Sequence, residues 1–275
     1  MLLSVTIMCV SASAGAQGDA GGTPSATAVQ LPPWLEGASG PPQRDAQALT
    51  AVQASLNAMG GIANIAALQT CVINIQADES AIGRAVGPLV LTVSGSQFRS
   101  DFQGPNGTVT LSTGGGTPFR VSKGKAVKVA SHVTQAWFWP ALVASELAAE
   151  FQNPNYSFVY KGNSSVDGTS VIVVSTILQS SRINSFVTPQ NWYFDSSTAL
   201  PVRVEYRLPD NKRPDLAQAG AADLSKYQNI GGILFPFQAV LWIGSKADGT
   251  RTIVSIEPNP AVTASDFAAP AGGLQ

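Results

Sequence analysis

The chain has 275 residues, of which 12% are charged, and a formal net charge of −1. With acids and bases scarce and nearly balanced, it lacks the basic footprint by which proteins hold nucleic acid or anionic membrane surfaces. The charged fraction is about half of that usual in globular proteins, so the exposed surface must be built from Ser, Thr, Asn, Gln and Gly.

Residues Met1 to Ala16 read as a secretory signal peptide: Leu2 to Val10 is apolar, and Ala14-Gly15-Ala16 offers a small-x-small cleavage site near Ala16. No Lys or Arg precedes the apolar run. The run falls far short of the roughly 20 apolar residues that cross a bilayer, and no later stretch reaches that length without a charge or a breaker. The expectation is an exported protein, periplasmic or secreted, with no transmembrane segment. Cys9 raises the alternative of a lipidated cysteine, against which stands Met8, since a small residue normally precedes such a cysteine. Cys71 is then the sole cysteine of the mature chain, which leaves no intramolecular disulfide.

Residues 17–43 are rich in Gly, Ala, Ser, Thr and Pro and cannot bury enough apolar surface to offset chain entropy, so a disordered tether is expected. Within it, Leu31-Pro32-Pro33-Trp34-Leu35 could dock on the domain or on a partner. The folded domain is expected over 44–270, with a tail at 271–275. From Asp45 to Met59 the apolar positions Leu49, Val52, Leu56 and Met59 recur at helical spacing; Asp45 is a candidate N-cap, and Gly60-Gly61 a left-handed stop. Asn64 to Leu68 adds a second helical turn.

From Thr70 the period becomes two. Cys71–Ile75, Leu89–Val93, Thr108–Leu111 and Ala126–Val129 read as strands, with a hairpin at Ser122-Lys123-Gly124-Lys125 and a breaker at Gly114-Gly115-Gly116. Pro140 to Phe151 reads as a buried helix ended by Asn153-Pro154, because Pro suits a first turn and Ala, Leu and Glu continue it. Strands resume at Tyr156–Tyr160 and Thr169–Ile177. Val202, Val204, Tyr206 and Leu208 alternate with Arg203, Glu205 and Arg207, the mark of a strand with one wet face. Asp210 to Ala221 reads as a polar loop, followed by strands at Lys226–Gln228, Leu234–Trp242 and Arg251–Ile256.

No catalytic residue, metal ligand or cofactor site is expected. His132 is the only histidine, too few for a zinc or copper site, and no Gly-x-Ser-x-Gly elbow accompanies it. Asp78-Glu79 and Asp195 sit at strand ends and turns. Gly114-Gly115-Gly116 lacks the Lys-Ser/Thr of a phosphate-binding loop. Arg120, Lys123, Lys125 and Lys128 cluster around one hairpin, either as solvated edge residues or as a docking patch for an acidic partner. The aromatics Trp137, Phe138, Trp139, Trp192, Phe194, Phe235, Phe237 and Trp242 are either core or the lining of a cavity.

The C-terminal half carries a resemblance. Asn191-Trp192-Tyr193-Phe194-Asp195 is followed by Leu200-Pro201-Val202-Arg203-Val204-Glu205-Tyr206 and then by Gly231-Gly232-Ile233-Leu234-Phe235-Pro236. Two more strands lead to Asn259 and Ser265-Asp266-Phe267-Ala268-Ala269-Pro270. That order resembles the periplasmic lipoprotein-carrier superfamily of LolA and LolB, whose fold is shared by RseB-like and LppX-like proteins. It implies a mainly β (α+β) domain, a single curved antiparallel sheet forming an unclosed half-barrel. The N-terminal and mid-chain helices would cover its concave face. It also implies a non-enzymatic protein that binds a lipid, or the acyl chain of a lipoprotein, between sheet and helices, in carriage or sensing. On that reading Trp137, Trp139, Leu142, Leu147, Phe235 and Trp242 line the cavity. The alternative is a structural or regulatory envelope module that binds another protein through its sheet edge or its tether. The tether and the low charge mark a divergent branch.

Overall fold

The computed structural model of the protein describes residues 40–79, 86–130, 139–179, 189–209, 217–270 and 274. The proposed signal peptide, most of the tether, Trp137 and His132 lie outside the described residues.

The first helix, α1 (Ala46–Ala58), turns Ala48, Ala51, Val52, Ser55 and Leu56 inward. Asp45 sits at its N-cap position without capping it: the carboxylate accepts from the Tyr160 amide (3.1 Å) and from Gln43 Nε2 (2.7 Å). At the other end the Gly60 amide donates to Asn57 O and the Gly61 amide to Leu56 O. These are the two bonds of a Schellman closure, and they need glycine's positive φ of 122° and 84°. The expected second helical turn is α2 (Ile62–Ala67).

The strands are β1 (Thr70–Asp78), β2 (Val86–Ser94), β3 (Gln97–Gly104), β4 (Gly107–Ser112), β5 (Phe119–Ser122), β6 (Lys125–Lys128), β7 (Tyr156–Val166), β8 (Thr169–Leu178), β9 (Gln190–Asp195), β10 (Pro201–Pro209), β11 (Ala217–Ile230), β12 (Ile233–Ile243) and β13 (Lys246–Pro258). Among the described residues they form one antiparallel sheet, not closed into a barrel, in the order β6-β5-β4-β3-β2-β1-β13-β12-β11-β10-β9-β8-β7. Every pair is a sequence neighbour except β1 with β13. The Lys123-Gly124 and Gly231-Gly232 turns are two-residue hairpins with both φ positive, as type I′ geometry requires.

The reading of Asp210 to Ala221 as loop is corrected by β11, which already runs from Ala217. Ala221 and Ala222 are both buried, so hydrophobicity does not alternate there and period two is invisible. The mid-chain helix splits into a 3-10 turn, Pro140–Leu142, and a helix α3, Val143–Gln152. It lies between edge strands β6 and β7 in sequence and packs on α1, α2 and β12.

The helices cover one face of the sheet. Ile73, Leu91, Val174, Trp192, Phe194, Val204, Phe235 and Phe237 form the core there with Leu56, Met59 and Leu147. The other face is polar: Arg203 pairs with Glu205 (3.2 Å) and Asp223 (2.7 Å), and Tyr193 Oη donates to Glu205 (2.8 Å). The C-terminal segment crosses to the sheet's β3–β4 end, where Phe267 is buried and its carbonyl accepts from Ser112 Oγ (3.0 Å).

Two joints fix α1 across the sheet. At its start, residues Gln43 to Asp45 bridge β7: the Phe158 amide donates to Gln43 O (2.7 Å) and the Asp45 amide to Phe158 O (3.0 Å). The Arg44 guanidinium lies 4.9 Å from the Phe158 ring centroid and donates to the carbonyls of Phe151, Asn153 and Tyr156. At its end, Gly60 rests against Gly232, and the Leu234 amide donates to Met59 O (3.0 Å).

A Cβ on Gly60 would overlap the Gly232 carbonyl oxygen, whereas one on Gly61 would meet nothing. Gly61→Ala should therefore cost only the left-handed strain, roughly 1–2 kcal/mol, and Gly60→Ala distinctly more. Urea unfolding of both variants tests this; equal losses would show that the Gly60–Gly232 contact is not a tight joint.

Candidate functional site

Pro140 restricts the residue before it to extended backbone, and Trp139 has φ −106° and ψ 98°. The chain then turns through Pro140–Leu142 into α3. This arrangement brings the Trp139 ring edge-on to Phe98 of β3, with centroids 5.5 Å apart and planes at 69°. The two aromatics border a cleft of about 300 Å³ where the α2–β1 junction, the β2–β3 turn and α3 meet. Its apolar wall includes Leu68, Val93, Phe98, Trp139 and Leu142, and its polar rim includes Gln69, Thr70, Ser96, Gln97 and Ser145.

The structure separates the residues expected to line one cavity. Trp139 and Leu142 border the cleft. Leu147 and Phe235, 0% and 1% exposed, pack in the core and are not on the wall of this cleft. Trp242 belongs to the polar face: its indole Nε1 donates to Asp223, within the Arg203–Glu205–Tyr193 network. The reason is its parity on β12, where Phe235, Phe237 and Ala239 point to the core and Trp242 falls on the alternate set. Trp137 lies outside the described residues.

Sequence reasoning missed two acids on α3. Glu146 lines the cleft and accepts from Gln190 Nε2 of β9 (2.6 Å). Glu150, one turn on, is 3% exposed. Burial first, and then the Glu146 charge, hold its carboxyl well above the usual range, against hydrogen bonds from Thr176 and Trp192. Burial likewise pushes Glu146 up to about 7, with the Gln190 bond opposing. The legible signal was a Glu pair at i and i+4 on a helix otherwise apolar enough to be buried.

Cys71 also borders the cleft but is 2% exposed, and burial followed by the Glu257 charge pushes its thiol up to about 12, so it is not a ready nucleophile. Among the described residues no group of three His, Cys, Asp or Glu is placed to hold a metal ion. The basic hairpin lies at β5–β6, the sheet's edge, where Lys125 and Lys128 are exposed.

No family model matches the chain, and no curated protein matches it in sequence. Solved structures do match. A LolA superfamily protein from Nitrosomonas europaea aligns over 81% of this chain and 97% of its own, with 11% identity and a TM-score of 0.53. A DUF1329 family protein from Desulfovibrio piger covers 82% and 99%, with 14% identity and a TM-score of 0.51. The fold is LolA-like. A domain from Vibrio parahaemolyticus assigned to outer membrane lipoprotein sorting gives 16% identity over 80% and 95%, with a TM-score of 0.51. At such identities the likeness concerns the LolA-like architecture and leaves function to be argued from the site.

The acid pair makes a prediction for stability. Both carboxyls titrate higher folded than unfolded, so their contribution is full below the ordinary 4.5 and is lost as pH rises, for Glu146 through about 7. Thermal melts across that window should show the wild-type Tm falling with pH, and Glu150→Gln should flatten the decline. A parallel decline in the variant would locate the titration elsewhere.

Proposed function

We propose that this LolA-like protein is an exported, non-enzymatic binder of an apolar ligand, a lipid or the acyl chain of a lipoprotein, acting in carriage or sensing at the cell envelope. One observation carries the reading: a cleft between the helices and the sheet, walled by Leu68, Val93, Phe98, Trp139 and Leu142, that the closed core does not fill. Its volume is at the low end of the about 300–1,000 Å³ range of small-molecule sites, which suits one chain rather than several. Burying about 12 methylenes at ~0.8 kcal/mol each gains roughly 10 kcal/mol gross. Association and ordering costs consume a large part of that, which leaves micromolar binding without a charged anchor. The lipoprotein-sorting assignment of the Vibrio domain supports the same reading.

Native mass spectrometry of the protein purified from an exporting host, with and without added lipid, tests it. The wild type should carry discrete lipid-mass adducts. A Trp139→Gln/Leu142→Gln double variant should lose them while keeping its circular dichroism spectrum, since both side chains are only partly buried. Adducts that survive in the folded double variant would place the ligand elsewhere. A clean apo mass for the wild type in added lipid would reject the binder.

A further inference from the structure

We propose that the cleft selects a single-chain amphiphile with a cationic amine head, the ammonium seated against Glu146 and the chain along Leu68, Val93, Phe98, Trp139 and Leu142. The proposal rests on the cleft being an apolar-ligand site and names the chemistry of its ligand's head.

Charge is the first ground. Glu146 is the one carboxylate on the described lining, and that lining contains no Lys, Arg or His. Among the described residues no countercharge shifts Glu146: burial and the Gln190 bond are the causes that act on it. The residues of α1, α2, β2, β8 and β12 include no ionisable side chain. Tyr206 of β10 feels the Glu146 charge: its phenol is pushed up by burial first, by that charge second and by Asp248 third. Arg251 of β13, itself paired with Glu79, opposes them. On β3, Arg99 and Asp101 pair with each other at 2.7 Å on the polar face. On β9, Asp195 is bound to Ser197 in the turn beyond the strand. Arg44, at the end of α3, is taken up by three backbone carbonyls. Of the other described groups, Glu150 is an acid, Cys71 is a thiol, and the charge that reaches Cys71 is that of Glu257, a further acid.

Hydrogen bonding is the second ground, and it is independent. Gln190 spends its amide N–H on Glu146. Its Oε1 and the Oε2 of Glu150, both on residues at least nine-tenths buried, have no hydrogen-bond partner. Burial keeps Glu150 protonated, and its O–H is a donor for these oxygens behind the lining, so Glu146 is the acceptor that faces the cleft. A primary ammonium brings three N–H donors and a positive charge. A carboxylate or phosphate head brings acceptors and like charge, and burying it beside Glu146 would be unfavourable.

Isothermal titration calorimetry with dodecylamine, dodecanol and dodecanoate, each below its micellar concentration, tests this. The wild type should bind dodecylamine at least about tenfold more tightly than dodecanoate, a gap of about 1.4 kcal/mol. In Glu146→Gln, which can keep the Gln190 bond, the amine should fall to the level of the alcohol while alcohol binding holds. Amine affinity of the wild type should also rise with pH as Glu146 ionises, toward and through about 7; this series carries the test even where the variant does not fold. An amine preference that survives Glu146→Gln, or dodecanoate binding best, overturns the ammonium assignment and leaves the apolar site standing. Failure of all three probes to bind overturns both.

Discussion

The structure depends on the contact of two glycine pairs, Gly60-Gly61 at the end of α1 and Gly231-Gly232 at the β11–β12 turn. Backbone meets backbone there, closer than any side chain would permit. The contact also explains the residues that follow the turn. Residues 233–237 of β12 have no partner on β13, whose pairing begins at Gln238. The Leu234 amide on that side is taken by Met59 O. The next amide on the same side would belong to Pro236, which has none and so leaves no donor unsatisfied. Phe235, between them, points the other way into the core. The Gly-Gly-x-x-Phe-Pro pattern is thus a helix-docking device rather than a ligand motif.

With α1 fixed by Arg44 at one end and by glycine at the other, the sheet acquires two unlike faces. The helix-covered face gathers Ile73, Leu91, Trp192, Phe235 and Leu147. The opposite face gathers Arg203, Glu205, Asp223, Tyr193 and the indole of Trp242. The cleft opens where α2, α3 and the β2–β3 turn fail to close over the apolar face. The acid pair sits on the side of α3 turned to β8 and β9, where it is held by polar residues of the sheet's otherwise apolar interior: Gln190, Thr176 and the Trp192 indole.

Local chemistry was the legible part of the sequence. Gly60-Gly61 marked the end of α1, Lys123-Gly124 marked a hairpin, and alternation about Arg203 and Glu205 marked a strand with one wet face. Asn259, by contrast, acts across 190 positions of sequence: its side chain accepts from the Gln69 and Thr70 amides and donates to Ala67 O, fastening the α2–β1 junction. What stayed hidden depends on partners distant in sequence. Strand β3, with Arg99 and Asp101 in its middle, reads as polar until Phe98 and Ser100 are seen facing the core side. The alanines of β11 carry no period. Aromatic composition put Trp242 with Trp139, and only strand parity separates them. Glu146 and Glu150 were read only as helix-favouring residues of a buried helix, because nothing local shows that their partners are Gln190, Thr176 and Trp192 of β8 and β9.

The order of strands has a mechanical corollary. The first and last strands, β1 and β13, are paired in the middle of the sheet. Among the described residues its two outermost strands are therefore those that flank α3 in sequence, β7 carrying only the short Gln43–Asp45 bridge. That helix lies in sequence between the two outermost strands, and among the described residues it takes part in no strand ladder. Swinging α3 outward would uncover Val143, Leu147 and the two carboxyls yet would unzip no strand pair. Wall and cover are therefore separate in strand pairing while they share one packed core. The sheet is stitched by its hairpins and the single β1–β13 seam, so its ladders would survive a change in α3 that rearranged the core beneath the helix.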